Sequence, residues 1–227
     1  MLNIDHVFFS YPKRLPYLLQ DICLHVHAGD YISIVGDNGC GKSTLLRLML
    51  GFLHPVHGSI HWQTRSIRYV AQKGDFSQAG FPITVREVLD SYCKLLHIQD
   101  KHAAARVLEQ VGMGSAAGQL IGTLSGGQAQ KIAIARAMLG SPEVMLLDEP
   151  STGIDRQSQQ EIYRLLKTFN REQHLTILSV EHNLDAALAN STRIYHLTHG
   201  QGHLCSPKQY AAELFPAQTQ EVSHVNL

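Results

Sequence analysis

Gly36-Asp-Asn-Gly-Cys-Gly-Lys-Ser43 follows the pattern G-x-x-x-x-G-K-[ST], a spacing suited to holding a triphosphate. Glycines permit the tight loop that turns successive backbone N–H groups toward one anion. Lys42 adds a full positive charge for the β- and γ-phosphates, and Ser43 offers a hydroxyl to Mg²⁺. The helix that must follow adds its positive N-terminal end. A glycine-rich helix start would satisfy the same letters, but the flanks argue against it. An apolar run, Tyr31–Val35, precedes the loop, and Leu45, Leu46, Leu48 and Met49 continue it with helical spacing to Gly51. The stretch reads as a nucleoside triphosphate site that also takes in Asp37, Asn38, Gly39, Cys40, Gly41 and Thr44.

Two further stretches carry chemistry. Val144-Met-Leu-Leu-Asp-Glu149 puts two carboxylates at the end of an apolar run. Such a run reads as a strand buried on both faces, and ligands meet α/β sheets at the carboxyl ends of strands. Asp148 then suits the Mg²⁺ shell, and Glu149 suits orienting or deprotonating the attacking water. Two acids opening a surface turn before Pro150 is the plainer alternative, weakened by the phosphate loop. Leu124-Ser-Gly-Gly-Gln128 has two readings of equal standing. Ser125 and Gln128 match a capping box, whereas Gly126 and Gly127 weaken the first turn and bare N–H groups that could grip an anion.

The elements that must position these residues can be read from periodicity. Ile4–Phe9 is strand-like and broken at Tyr11-Pro12; Ser66–Val70, Val144–Leu147 and Thr176–Val180 are further strands. Residues 84 to about 139 are mostly helical, with Gly112, Gly114, Gly118 and Gly122 as breaks, and Gln157–Phe169 is another helix. Strands alternating with helices and interrupted by a helical block imply an α/β fold with a parallel sheet and a helical insertion. After Leu204 the tail is polar, with only partial order expected. A chain of 227 residues suits one such domain, burying about 70% of its unfolded surface.

Lys+Arg 19 against Asp+Glu 19 leaves no net charge, which argues against a bulk nucleic-acid or acidic-membrane footprint. No apolar run approaches the ~20 residues of a membrane span, and the first residues carry no signal pattern. A soluble, cytosolic chain is expected. Cys23, Cys40, Cys93 and Cys205 are far apart and read as free thiols.

The order phosphate loop, LSGGQ, LLDEP resembles the nucleotide-binding domain of ABC transporters over nearly the whole chain. The resemblance implies a P-loop NTPase fold: a parallel-sheet core with an N-terminal antiparallel β portion and an inserted helical subdomain. Residues 1–72 and 140–204 would be the ATP-binding core, about 73–139 the helical subdomain with the signature, and 205–227 a tail. It implies ATP and Mg²⁺ as ligands, Tyr11 as the aromatic stacking on adenine, and Gln72 as the Q-loop glutamine touching Mg²⁺. His182 would be the switch histidine near the γ-phosphate. Ser151-Thr-Gly-Ile-Asp155 would be the D-loop, whose Asp155 region touches a partner subunit. Departures from the usual pattern, Cys40, Lys131, Glu181 and Asn183, remove no group the mechanism needs, although Cys40 could make the site thiol-sensitive.

By the same resemblance, two copies pair head to tail as a homodimer. Ser125, Gly126, Gly127 and Gln128 of one copy would close on the ATP held by the other. Transmembrane permease subunits would take up the motion at the cytoplasmic face of the membrane, served indirectly by an extracytoplasmic substrate-binding protein, with no nucleic acid involved. Gly80-Phe-Pro-Ile-Thr-Val-Arg-Glu-Val88 contains a plain capping box, Thr84-x-x-Glu87. It also resembles the same stretch in ATPases of zinc and manganese importers, which points to a divalent metal, zinc first and manganese second. The alternatives are another small-solute transporter or a non-transport ABC ATPase.

Fourteen histidines invite a metal site. Ile194–Leu197 and His203–Cys205 read as a hairpin turning at Gly200-Gln-Gly202, however. That reading leaves most of His196, His199, His203 and Cys205, and of His54, His57 and His61, separate and solvated.

Overall fold

The computed structural model describes residues 1–72 and 82–214. In chain order the elements are β1 (Leu2–Phe9), β2 (Leu19–Val26), β3 (Tyr31–Val35), α1 (Lys42–Met49), β4 (His57–Trp62) and β5 (Ile67–Val70). Next come α2 (Val85–Leu95), α3 (Ala103–Gln110), α4 (Gly126–Met138), β6 (Val144–Asp148), α5 (Arg156–Gln173) and β7 (Thr176–Val180). The last described elements are α6 (Leu184–Asn190), β8 (Arg193–Thr198), β9 (Gln201–Cys205) and α7 (Pro207–Leu214). It divides into two compact units: residues 1–63 with those from Val180 onward, and Thr64–Ser179.

In the first unit β1 lies between β2 and β4, antiparallel to both. Its inward residues Leu2, Ile4, Val7 and Phe9 are buried. The spacing from Ile4 to Val7 skips a residue because the strand bulges at His6, whose φ is 49°. Gly58 on β4 faces that bulge so closely that a Cβ there would sit 2.5 Å from a backbone atom of Asp5 or His6. Sequence periodicity finds β1 but not β2 or β4. Asp21, at φ 56°, breaks the alternation of β2, and β4 is a half-exposed edge containing a glycine.

The same unit holds β3, every residue of which is buried, running parallel to β8; β9 returns antiparallel to β8. The hairpin turns through His199-Gly200, at φ 47° and 78°, the two left-handed residues a tight two-residue turn requires. Helices α6 and α7 cover one side, with Val35, Ala187, Ile194 and Tyr210 forming a buried cluster. The polar tail therefore contains an amphipathic helix, α7, anchored by Tyr210. The remainder of the tail, residues 215–227, lies outside the described residues.

In the second unit β5 pairs in parallel with β6, and β7 lies on the other side of β6. Val144–Leu147 is buried throughout, as its unbroken apolar run requires. The helical block resolves into α2, α3 and α4, and Gly112 at φ 69° follows the end of α3. Thr84 caps α2 with the complete capping box expected of Thr84 and Glu87. Hydrogen bonds donated by the Thr84 hydroxyl and N–H to Glu87 Oε2 hold that carboxyl below the usual glutamate range. Gly80 and Phe81, the start of the stretch likened to metal importers, lie outside the described residues. Among the described residues no helix is long and apolar enough to cross a membrane.

Candidate functional site

The phosphate loop belongs to the first unit. β3 ends at Val35, and Gly36 follows at φ 149°, where a Cβ would collide with the Leu197 carbonyl. Gly39 and Gly41 also have positive φ, 81° and 109°, and a Cβ on Gly41 would lie 2.7 Å from Leu19 Cδ2. The loop is thus a tight cradle that only glycine permits at these corners. Lys42 is 5% exposed, and its Nζ donates to the carbonyls of Gly36 (2.8 Å) and Asp37 (2.9 Å). A buried ammonium held over a ring of backbone is the donor set a polyphosphate needs. Gly41, at the N-cap of α1, gives no side-chain cap hydrogen bond, and the positive end of that helix suits an anion.

Asn38 and Gly39 are exposed at the tip, and Thr44 is buried with its Oγ1 3.2 Å from the Tyr11 hydroxyl. Tyr11 is 57% exposed and packs edge-on against Phe9 at 5.2 Å, which leaves much of its ring open. Burial raises the Cys40 thiol pKa despite the opposing pull of Lys42. A raised pKa lowers the thiolate fraction at a given pH.

Three sequence candidates, Gln72, Asp148 and Glu149, lie in the second unit around the ends of β5 and β6. Asp148 ends the strand, and Glu149 follows at φ 49°, a left-handed conformation unusual for a glutamate. Its Oε2 accepts hydrogen bonds from Gln72 Nε2 at 2.5 Å and from Thr152 Oγ1 at 3.0 Å. The fold therefore brings together two residues that belong to separate motifs. Thr152 escapes sequence reasoning as a contributor, although it lies within Ser151–Asp155. A residue held off its preferred backbone region and gripped from two sides is what a positioned base looks like.

The signature segment realises the capping reading in full. Ser125 Oγ accepts from the Gln128 N–H (3.3 Å) while Gln128 Oε1 accepts from the Ser125 N–H (2.9 Å). Gly126 has space around it, but a Cβ on Gly127 would lie 2.5 Å from Ser158 Cβ on α5. Gly127 is therefore also a packing glycine, a role hidden from the sequence. Lys131 pairs with Glu161 at 2.5 Å, holding that carboxyl below its usual range. Asp155 caps α5 by accepting from the Ser158 N–H at 2.9 Å, the main reason its pKa is lowered.

His182 belongs to the first unit and is exposed between β7 and α6. Its neighbours have structural work: Glu181 is 2% exposed and its N–H donates to the Ile34 carbonyl, and Asn183 caps α6. All four cysteines are free thiols. The expectation that the hairpin histidines stand apart is corrected. The turn falls at His199-Gly200 rather than Gly200-Gln-Gly202, which places His196 directly opposite His203 on β8 and β9.

Residues 19–152 match the ABC transporter family. The chain is 45% identical, over 96% of its length and 91% of the relative's, to a "Probable metal transport system ATP-binding protein" of Treponema pallidum. It is 35% identical to the zinc uptake system ATP-binding protein ZurA of Listeria innocua, over 87% of this chain and 81% of that one. Among solved structures it resembles cbiO1 of Clostridium perfringens, part of the ABC transporter complex cbiONQ. The TM-score is 0.83 at 25% identity, covering 94% of this chain and 91% of that chain. These likenesses support the fold read from the sequence: a P-loop α/β core with antiparallel strands and a helical insertion.

Proposed function

Because the chain belongs to the ABC transporter family of ATP-binding subunits, we propose that its ATP hydrolysis drives import of a divalent metal ion, zinc first and manganese second. The observation that carries the choice of ion is the likeness, along nearly the whole chain, to ATPases of metal and zinc uptake systems. The chain binds ATP and hydrolyses it, and its motifs divide that work among their residues.

The backbone of Gly36–Gly41, Lys42 and the start of α1 hold the β- and γ-phosphates, with Asp37, Asn38, Cys40 and Thr44 shaping the loop. Tyr11 offers its open ring face to adenine. Ser43, Asp148 and Gln72 suit the Mg²⁺ shell, and the ion, when bound, neutralises charge on the phosphates. Glu149 takes the proton of the attacking water on its carboxylate, held in place by Gln72 and Thr152. His182 acts at the γ-phosphate.

Two copies close head to tail, each lending Ser125, the amides of Gly126 and Gly127, and Gln128 to the nucleotide of the other, with Asp155 at the contact. The γ-phosphate is the contact that differs between closed and open states, so its loss shifts the pair toward opening. Residues 1–72 and 140–204 serve as the ATP-binding core, about 73–139 as the helical subdomain, and 205–227 as a tail. The subdomain, including Gly80–Val88, docks on transmembrane permease subunits at the cytoplasmic face of the membrane. An extracytoplasmic binding protein delivers the ion to those subunits. The zero net charge gives no reason to invoke nucleic acid.

The test is radiolabelled zinc and manganese uptake in cells lacking the chromosomal copy. Loss of zinc uptake, restored by the intact gene and not by a Glu149→Gln copy, is expected. Unchanged uptake of both metals, with an active ATPase co-purifying with membranes, would reassign the transported solute. An active ATPase absent from membranes would instead favour a non-transport role.

A further inference from the structure

The β8–β9 hairpin and α7 gather side chains that the nucleotide chemistry does not use. His196 and His203 are directly opposed across the two strands, with ring centroids 5.3 Å apart. Glu213, from α7, reaches over both: its Oε1 lies 3.3 Å from His203 Nε2 and its Oε2 lies 3.7 Å from His196 Nδ1. One ligand-type atom from each residue falls within 4.8 Å of the others. His196 Nδ1 is buried and has no hydrogen-bond partner, an arrangement that is unfavourable while nothing satisfies the nitrogen.

We propose that His196, His203 and Glu213 form a binding site for a divalent transition metal, zinc foremost, separate from the nucleotide site. Zinc bonds of about 2.0–2.1 Å to nitrogen and 2.0–2.2 Å to oxygen put tetrahedral ligand atoms roughly 3.3–3.5 Å apart. The carboxylate-to-imidazole distances already approach that range. Two imidazoles with one carboxylate are a borderline donor set that suits zinc and its first-row neighbours. Magnesium and calcium want more oxygens than are present here. His196 is held edge-on against Tyr210 at 5.0 Å, so one ligand is fixed before the ion arrives. His203 and Glu213, half-exposed at 49% and 44%, give the ion a way in from solvent.

Among the described residues, the other grouping of ligand-type side chains, His6, Asp21 and Cys23, is less suited. His6 Nδ1 is already bonded to Asp21 at 2.7 Å, and His6 and Asp21 are exposed. The hairpin site has a further consequence. Its three ligands come from β8, β9 and α7, so a bound ion ties the last described helix to the hairpin. His196 also pairs across the parallel ladder with Val35, the residue immediately before Gly36. Occupancy therefore stiffens the strand pair from which the phosphate loop springs. Any effect of zinc on nucleotide affinity must be matched by an equal effect of nucleotide on zinc.

The site does not rest on the transport reading; a chain that energised some other transporter would bind zinc equally well. The experiment is calorimetric titration of the chelator-treated, nucleotide-free full chain with zinc chloride. One site with micromolar or tighter affinity is expected. His203→Ala and Glu213→Gln should each weaken it by at least about tenfold, and His6→Ala should leave it unchanged. Cobalt(II) should show visible bands of tetrahedral coordination that disappear in His196→Ala, with an unchanged circular dichroism spectrum showing that the variant is folded. No saturable zinc binding at micromolar concentration, or equal affinity in all the variants, overturns the proposal.

Discussion

Gln72 Nε2 donates to Glu149 Oε2 across 2.5 Å, although 77 positions separate the two in sequence. The glutamine that leaves β5 and the carboxylate that leaves β6 are thereby joined within the second unit. With Thr152 Oγ1 on the same oxygen and the backbone at φ 49°, Glu149 has its carboxylate aimed by its surroundings. Glu149→Gln keeps the shape and removes the base. Turnover should fall about 10²–10⁴-fold while ATP affinity is kept and an ATP-bound dimer accumulates. Gln72→Ala should lower kcat less, with nucleotide affinity again little changed. Multiple-turnover phosphate release alongside equilibrium nucleotide binding checks both, and normal turnover by Glu149→Gln would remove it from the role of base.

Lys42 Nζ donates to the carbonyls of Gly36 and Asp37, both of them neutral acceptors. An anion in the loop would replace those partners with charged ones. Hydrogen bonds to charged groups contribute about 1.5–3 kcal/mol, so Lys42→Ala should weaken ATP binding about 10–100-fold. Calorimetry with a non-hydrolysable analogue measures this directly. Unchanged affinity would count against the cradle.

Asp155 accepts from the Ser158 N–H at the start of α5, and that bond lowers its pKa below the ordinary 3.8. A depressed folded-state pKa gives stability that is complete above the unfolded value and is lost as pH falls through the folded one. Asp155→Ala should therefore destabilise the chain at neutral pH, with the difference from the parent vanishing under strongly acidic conditions. Asp155→Ser, which can still cap, should retain most of the stability at neutral pH. Urea midpoints across the acid range test the sign; a difference that grew on acidification would contradict it.

The phosphate loop was legible because its chemistry is local: the glycines, the lysine and the helix start are consecutive, and φ-positive corners demand glycine at Gly36, Gly39 and Gly41. The same holds for β3, β6 and β7, whose apolar runs are read without knowing their neighbours. What failed to show was long-range or depended on register. The bulges at His6 and Asp21 spoiled the alternation that would have announced the first antiparallel sheet. Placing the hairpin turn at Gly200-Gln-Gly202 instead of His199-Gly200 is enough to separate His196 from His203, because register is set by the position and length of the turn. The contacts of Glu149 with Gln72 and of Gly127 with Ser158 join segments whose closeness no local pattern encodes.

Gly127 gives the sharpest packing test, since two effects of opposite sign compete there. Replacing a glycine by alanine in a helix ordinarily gains about 1 kcal/mol. Here the new Cβ would lie 2.5 Å from Ser158 Cβ and would also strike its hydroxyl. Overpacking of this kind typically costs about 1–3 kcal/mol, so Gly127→Ala should destabilise the chain and shift α4 against α5. Ser125 begins that helix, so ATPase activity should fall with it. Ser158→Gly removes the obstructing atoms while keeping the N–H that Asp155 accepts from. On its own it costs up to about 1 kcal/mol as a helical glycine, yet combined with Gly127→Ala it should restore stability beyond the sum of the separate effects. A double-mutant cycle in urea measures that coupling. Strict additivity would mean that Gly127 is required for bared amides alone and not for the fit between the two helices.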